Sequence, residues 1–130
     1  MTESITVSAI LPATPQHIYD AWLSSDGHSD MTGAHANIHP GVGGTFTAWD
    51  GYIEGTTRKL IPNERIVQSW RTSEFPEDAP DSKLEIVLEE VKGKAKITLH
   101  HTNIPKGQGR MYKEGWTDHY FEPMKSYFRK

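Results

Sequence analysis

Apolar and polar side chains alternate in several stretches of the chain, and a period of two predicts half-buried β-strands. In residues 4–11 every second side chain, from Ile5 to Leu11, is apolar. The same period recurs in residues 84–89 and 95–102. These three stretches are therefore expected to place one face on a core and the other face in solvent.

Turn signals divide the middle of the chain into further strands. Asp50-Gly51, a strong hairpin signal, separates the predicted strands 45–49 and 52–60. A Pro-Asn-Glu turn then leads into a predicted strand over residues 66–71. Together with the alternating stretches, these segments predict an antiparallel sheet of six or seven strands.

Two short helices are predicted after the first strand. Thr14 can cap the free backbone N–H groups of a helix, and Pro15 suits the first helical position, where no N–H is needed. That helix is expected to run to about Trp22. Ser24 offers a second cap, so a further short helix is expected to follow.

A long helix is predicted at the C-terminal end. After Pro105 large apolar side chains recur every four residues, which indicates one buried helical stripe. Pro123 interrupts this pattern and is expected to kink the helix, because it removes an intrahelical hydrogen bond. The stripe consists of Tyr112, Trp116, Tyr120, Met124 and Phe128.

The order of these elements predicts an α+β fold. One strand, one or two short helices, a run of strands and a long helix favour a curved antiparallel sheet wrapped around the C-terminal helix. The length of 130 residues fits one domain spanning residues 1–130. We expect an apolar cavity between the sheet and the long helix.

Composition and charge exclude several classes of function. The chain has no Cys, which excludes disulfides, thiolate metal sites and cysteine nucleophiles. Its net charge of −3 includes no basic block that would neutralise phosphates, so nucleic acid is not an expected partner. No stretch approaches the roughly 20 apolar residues of a membrane-spanning helix, and no signal-peptide pattern opens the chain. We therefore expect no membrane association and a cytoplasmic location.

Six short segments, distributed over nearly the whole chain, carry a family resemblance. They are residues 15–22, 43–46, 50–55, 60–71, 98–105 and 114–116. In this order they resemble the START-like superfamily (SRPBCC, or birch-pollen-allergen-like), which has the helix-grip fold. Within that superfamily the sequence is most similar to the homologues of activators of the heat-shock-protein-90 ATPase.

The resemblance implies a helix-grip fold and several kinds of function. Members of the superfamily bind lipids, sterols or plant metabolites, cyclise polyketides, or act as partners of chaperones. The eukaryotic co-chaperones of the family carry an additional N-terminal domain, whereas we expect these 130 residues to form the one START-like domain alone. The resemblance therefore implies the fold more directly than it implies chaperone activation.

Seven residues are candidates for the wall of the expected cavity. Tryptophan and tyrosine combine apolar area with a polar tip that can orient a ligand. Glu54 is expected to face the cavity, where burial would raise its pKa. The candidates are Trp49, Trp70, Leu99, His101, Trp116, Tyr120 and Glu54.

The histidines raise the question of a metal site. His35 and His39 are four residues apart with His28 nearby, but the surrounding glycines and proline predict no helix that would hold the pair on one face. We predict no metal and no cofactor. His101 lies on the apolar face of its strand, where it is expected to be buried with a partner such as a tyrosine hydroxyl. His100 is expected to face solvent.

The expected function is the binding of a small hydrophobic or aromatic ligand in the cavity, without catalysis, and no catalytic residue is predicted. Two alternatives remain open. One is a chaperone-binding module, as the family resemblance implies. The other is an enzyme of the cyclase or hydrolase type, which would need His101 or Glu54 in an open pocket as a general base.

Overall fold

The computed structural model describes residues 2–129, and within that range it has seven β-strands and a long C-terminal helix. The α+β fold predicted from the sequence is confirmed. The strands are β1 (Thr2–Leu11), β2 (Asn37–Ile38), β3 (Thr45–Ala48), β4 (Ile53–Ile61), β5 (Arg65–Thr72), β6 (Ser82–Val91) and β7 (Lys94–Pro105). The helices are α1 (Pro15–Trp22), α2 (Ser25–Thr32), α3 (Gly109–Gly115), a π-helical segment (Trp116–Phe121) and α4 (Glu122–Phe128).

The seven strands of this range form one antiparallel sheet in the order β1-β7-β6-β5-β4-β3-β2. In β6 and β7 buried and accessible side chains alternate, as the period of two predicts. Ile97, Leu99 and His101 are fully buried on the inner face, and His100 is exposed, as expected. The sheet thus turns its apolar face toward the helices.

Two short helices follow β1, and both begin at the predicted caps. The hydroxyl of Thr14 accepts a hydrogen bond from the backbone N–H of His17 at 3.1 Å, which satisfies a free donor of α1. The hydroxyl of Ser24 accepts one from Gly27 at 3.1 Å in α2. Gly33 ends α2 with φ 84°, a left-handed conformation that glycine adopts without steric strain.

The C-terminal helix contains a π-helical segment that the sequence did not predict. The five side chains of the predicted stripe are all buried, from Tyr112 to Phe128. Pro123 is the second residue of α4, directly after the π-helical segment. In a regular α-helix its ring would clash with the carbonyl of His119, four residues earlier, and the wider π turns relieve that clash. The interruption of the helix that was predicted at Pro123 is therefore seen as a π-helical segment directly before α4.

The connection between β3 and β4 is longer than predicted. Ala48 pairs with Ile53, so four residues form the turn instead of two, and Trp49 lies in the turn and not in the strand. Trp49 has φ 53° and Asp50 has φ 58°, both in the left-handed region that L-residues rarely adopt. The prediction of a two-residue turn at Asp50-Gly51 is wrong, because the register of β3 with β4 leaves two further residues unpaired.

The first strand is joined to the start of the C-terminal helix through Glu3. Its carboxylate accepts hydrogen bonds from the backbone N–H of Gly109 at 2.8 Å and of Gly107 at 3.0 Å. These bonds hold the pKa of Glu3 below its ordinary value. They also satisfy backbone donors that the start of α3 leaves free, so Glu3 acts as a cap from a distant part of the chain.

The core lies between the inner face of the sheet and the helices. Leu84, Ile86 and Leu99 from the sheet and Met124 from α4 are fully buried there. No helix within residues 2–129 is long and apolar enough to cross a membrane.

Candidate functional site

A cavity of about 830 Å³ lies between the β3–β4 turn, β5 and the C-terminal helix. It is partly open to solvent, and most of its wall is apolar. Its charged lining residues are Arg110, Glu114 and Asp118, of which Arg110 and Glu114 form an ion pair at 3.1 Å. Its aromatic wall consists of Trp49, Tyr52, Trp70, Tyr112, Trp116 and Tyr120.

The inner part of this wall is a set of packed aromatic rings from the sheet and the helix. The ring centroids of Trp70 and Trp116 are 5.4 Å apart, and those of Trp116 and Tyr120 are 4.8 Å apart. Tyr112 meets Trp70 edge to face at 5.0 Å. Aromatic pairs at these separations add stability beyond the area that they bury, so we expect a rigid inner wall.

His101 lies behind that wall, in a network with Ser82 and Trp116. The indole N–H of Trp116 donates to His101 Nδ1 at 3.1 Å, which places the ring proton on Nε2. Nε2–H donates to Ser82 Oγ at 2.8 Å, and the Ser82 hydroxyl donates to the carbonyl of Trp70 at 2.6 Å. Burial lowers the pKa of His101 to about 3, so the ring is neutral near pH 7. His101 is buried with hydrogen-bond partners, as expected, but the partners are Ser82 and Trp116 and not a tyrosine hydroxyl.

His28 forms a second buried network, with Trp22 and Tyr120. His28 Nδ1–H donates to the carbonyl of Trp22 at 2.9 Å, and the hydroxyl of Tyr120 donates to His28 Nε2 at 2.7 Å. Burial lowers the pKa of His28 to about 4, against the opposing effect of the bond to Trp22. Burial also raises the pKa of Tyr120. This network fixes the ring of Tyr120 in the cavity wall.

The three histidines considered for a metal do not form a site. His35 and His39 are exposed, while His28 is buried with both ring nitrogens hydrogen-bonded. Within residues 2–129 no group of three or more His, Cys, Asp and Glu side chains is arranged to hold a metal ion.

One edge of the cavity is held by a chain of polar contacts that the sequence did not reveal. The hydroxyl of Tyr52 donates to the carboxylate of Glu74. The hydroxyls of Thr72 and Tyr112 are 2.6 Å apart, and Tyr112 donates to Gln108 Oε1 at 2.7 Å. Burial, followed by the bond to Glu74, raises the pKa of Tyr52. These contacts connect the sheet to the start of the C-terminal helix beside the cavity.

Trp49 projects from the same β3–β4 turn as Tyr52 and also lines the cavity. Its ring meets the ring of His119 edge to face, with centroids 5.4 Å apart. The indole Nε1 is buried and has no hydrogen-bond partner. The turn therefore places an unpaired donor in the wall of the cavity.

The structure brings together four of the seven predicted cavity residues. Trp49, Trp70, Trp116 and Tyr120 line the same space. Whether they bind a ligand stays a prediction. Leu99 and His101 are fully buried in the core and do not line the cavity.

Glu54 is not in the cavity, and the expectation that it faces the helix is wrong. It is exposed on the outer face of the sheet, where its strand neighbours are Thr47 and Arg71. The reason is the register of β4, in which Ile53 is buried opposite the buried Ala48. Successive side chains of a strand point to opposite faces, so Glu54 must point outward.

Sequence reasoning missed the part of the lining that lies beside the helical stripe. Tyr52 belongs to the turn that was predicted as strand. Met111, Gly115 and His119 each lie one residue from a stripe position, and the signal that points to them is helical periodicity read one position away from the buried face. The edge of an amphipathic stripe is where a cavity between helix and sheet opens.

Comparison with known proteins agrees with the fold and identifies the family. Residues 12–129 match the family described as "Activator of Hsp90 ATPase homolog 1-like protein". The activator of 90 kDa heat shock protein ATPase homolog 1 of Homo sapiens is 25% identical over 127 residues, which are 98% of this chain and 37% of that protein. A homolog from Dictyostelium discoideum is 24% identical, over 98% of this chain and 33% of its own length. The chain spans about a third of the length of these relatives.

Solved structures with low identity share the fold. An Hsp90 activator from Plasmodium falciparum superposes with a TM-score of 0.84 at 23% identity, covering 95% of this chain and 94% of that chain. CalU16 from Micromonospora echinospora has a TM-score of 0.81 at 19% identity, covering 98% and 76%. Ara h 8.0201 has a TM-score of 0.75 at 14% identity, covering 99% of both chains.

The family match extends over nearly the whole chain, and the shared fold is that of the birch-pollen-allergen-like structures. The chain therefore belongs to the activator of Hsp90 ATPase homolog 1-like family.

Proposed function

We propose that this member of the Hsp90-ATPase-activator homologue family binds a small hydrophobic or aromatic molecule in the cavity between the β3–β4 turn and the C-terminal helix. The observation that carries the proposal is the cavity itself, with its volume of about 830 Å³ and its wall of six aromatic side chains. Ligand sites are concave, mostly apolar, and commonly about 300–1,000 Å³ in volume.

The wall has the rigidity that binding requires. The rings of Trp116 and Tyr120 are held by hydrogen bonds to buried histidines, at 3.1 Å and 2.7 Å. Side chains that are already fixed lose little conformational entropy when a ligand binds, which leaves more of the burial free energy for affinity.

Gly115 gives a sharp way to test this proposal. It lines the cavity, and a Cβ added there would meet only the His119 ring, at 3.9 Å. Its backbone is helical, with φ −61°, so a larger side chain is tolerated without strain. We therefore expect Gly115→Leu to fill part of the cavity and to leave the fold in place.

The experiment is a titration with N-phenyl-naphthylamine, a neutral apolar fluorophore, followed by fluorescence and by the indole N–H signals in NMR spectra. We expect the wild type to bind the probe with shifts at Trp49, Trp70 and Trp116, and Gly115→Leu to bind it at least about tenfold more weakly. Lys113→Leu is the matched control, because it adds the same side chain at an exposed position of α3 outside the cavity. Equal binding by the two variants would contradict the proposal.

A second candidate function is supported by the relatives. Proteins that share the family and the fold are described as activators of the 90 kDa heat shock protein ATPase. In this candidate function the chain binds a chaperone of that class through its surface, and the cavity is incidental. The test is a binding assay and an ATPase assay with purified Hsp90. Stimulation of the Hsp90 ATPase that is unchanged in Gly115→Leu would support the chaperone-binding function. The absence of binding to Hsp90 at high protein concentration would dismiss it.

The enzyme alternative finds less support. It needed His101 or Glu54 as a general base in an open pocket. His101 is fully buried behind the aromatic wall, and Glu54 lies on the outer face of the sheet.

A further inference from the structure

The indole N–H of Trp49 differs from those of two other tryptophans in the protein. Trp22 donates to Gln68 Oε1 at 3.4 Å, and Trp116 donates to His101 Nδ1 at 3.1 Å. Within residues 2–129 the Trp49 Nε1 is the one buried side-chain nitrogen or oxygen without a partner. A buried donor without an acceptor is costly, and native proteins rarely keep one.

The backbone at Trp49 is also unusual. Trp49 and Asp50 have φ values of 53° and 58°, in a region where a bulky side chain is strained. Strained residues of this kind cluster at ligand sites. The ring of Trp49 packs against His119, which belongs to the π-helical segment, and π-helical turns are likewise frequent at functional sites. The strained backbone and the unpaired donor of Trp49 thus lie against the π-helical segment at one edge of the cavity.

We infer that Trp49 is the residue that selects the ligand: its indole N–H donates a hydrogen bond to a neutral acceptor, such as a ketone oxygen, on a flat aromatic molecule bound in the cavity. This inference rests on the proposed function. The aromatic body of the ligand packs against Trp70 and Trp116, and its oxygen lies at the β3–β4 turn.

The charges around the cavity favour a neutral acceptor over an anion. Glu114 and Asp118 contribute two carboxylates to the lining, and Arg110 contributes one guanidinium, which is already paired with Glu114. A carboxylate on the ligand would be repelled by this lining and would lose its hydration on entering an apolar cavity. A ketone oxygen accepts the same hydrogen bond without either cost.

The donor is reached by rotation of a side chain. Nε1 has no contact with solvent, and the ring of His119 packs against the ring of Trp49. His119 is exposed, lies within the π-helical segment and lines the cavity. When its ring turns away, the edge of the indole opens toward the bound ligand, and the ligand oxygen supplies the missing acceptor.

The first experiment compares three naphthalenes that carry different groups at the same ring position: acetonaphthone, its alkene isostere isopropenylnaphthalene, and naphthoate. We expect the ketone to bind about tenfold or more tightly than the alkene, and more tightly than the carboxylate. In NMR spectra the Trp49 indole N–H signal is expected to move downfield with the ketone and not with the alkene. Equal affinities, or a Trp49 signal that the ketone leaves in place, would overturn the inference.

The second experiment removes the donor. Trp49→Phe keeps an aromatic ring at the edge of the cavity and has no N–H. In this variant we expect the ketone and the alkene to bind with equal affinity. Trp70→Phe is the matched control, because it reduces the wall area for both probes and leaves their affinity ratio unchanged. A ketone preference that persists in Trp49→Phe would refute the role of Trp49.

The inference and the proposed function fail in different ways. If none of the three naphthalenes binds and N-phenyl-naphthylamine does not bind, the proposed function fails, and the inference fails with it. If the ketone and the alkene bind equally well, the cavity binds aromatic molecules but Trp49 does not select among them. The NMR readout uses the wild-type protein, so the test does not depend on whether a variant folds.

Discussion

The aromatic wall of the cavity has a core side and a turn side, and the two sides differ in how completely their polar atoms are paired in hydrogen bonds. On the core side, the network of Ser82, His101 and Trp116 satisfies every nitrogen and hydroxyl that it contains. On the turn side, the Trp49 ring contacts His119 and its N–H has no partner. The comparison separates two situations of the same residue type: the indole N–H of Trp116 is paired within the core, and that of Trp49 is left without a partner.

The location of each side explains the difference. The core side joins β6 and β7, two interior strands of the sheet, where the strand pairing fixes the distances between side chains. The turn side depends on a four-residue connection near the β2 edge of the sheet. Loops on a rigid scaffold commonly carry binding residues for this reason.

The largest expected effect of a single substitution on the free energy of unfolding comes from removing the ring of Trp116 on the core side. Trp116→Ala deletes a buried ring that packs against Trp22, Trp70 and Tyr120. We expect the free energy of unfolding to fall by about 3–5 kcal/mol, as for other buried tryptophans. Trp49→Ala is the comparison, with an expected loss of about 1 kcal/mol, because Trp49 lies in a turn and is only partly buried. Urea unfolding measures both, and equal losses would contradict the distinction between the two sides.

Acidification is expected to act through the two buried histidines. From an ordinary value of 6.5, burial lowers the pKa of His28 to about 4 and that of His101 to about 3. Between pH 6.5 and the lowered pKa values, the two histidines bind protons in the unfolded chain and not in the folded chain. The free energy of unfolding is therefore greatest above about pH 6.5 and declines as the pH falls. We expect each of the two histidines to contribute a loss on the order of 3 kcal/mol to the free energy of unfolding by about pH 4, measured by urea unfolding at several pH values. In His101→Leu this dependence should become shallower, and an unchanged slope would argue against the assignment.

The adjacent histidines of β7 provide a matched pair. His101→Leu leaves Ser82 Oγ and the Trp116 N–H without their partner in the core, and we expect a loss of about 2 kcal/mol. His100→Leu changes the same residue type to the same side chain on the exposed face, where we expect a change within about 0.5 kcal/mol. Thermal unfolding compares the two, and a similar decrease for both would show that the core network contributes little.

The smallest expected effect on the free energy of unfolding tests most directly whether each indole N–H has a hydrogen-bond partner. Trp116→Phe removes a paired donor and leaves His101 Nδ1 without a partner, so we expect a loss of about 1–2 kcal/mol. Trp49→Phe removes an unpaired donor and keeps an aromatic ring, so we expect no loss of stability, or a small gain. Measured side by side in urea, a loss at Trp49 as large as that at Trp116 would mean that the Trp49 N–H has a partner in solution.

Much of the fold was predictable because its signals are local. The alternation in β7 placed His101 inside and His100 outside, and the spacing in the C-terminal stripe placed Trp116 and Tyr120 toward the sheet. Both patterns follow from backbone geometry, in which each side chain direction repeats with the period of the element. The caps at Thr14 and Ser24 are local in the same sense.

The candidate site was harder to predict because it depends on register and on contacts between distant residues. The sequence does not decide which of the two neighbouring side chains, Ile53 or Glu54, points toward the helices. Only the pairing of Ile53 with Ala48 in the structure shows that Glu54 points outward. The same pairing lengthened the turn and moved Trp49 out of the strand. The partners of the buried histidines were equally hidden, since His28 meets Tyr120 across 92 positions of the chain.

The sequence by itself determined which side chains of β7 and of the C-terminal stripe face the core, where the first two helices begin and which family the chain resembles, since each of these follows from patterns of neighbouring residues. Only the tertiary structure decided which polar tips find partners and where the packing leaves space. A hydrogen bond between two side chains requires both ends to be positioned by their own elements, and a cavity is what remains after all of them have been placed. The unpaired N–H of Trp49 at the edge of that cavity is a property of the assembled fold.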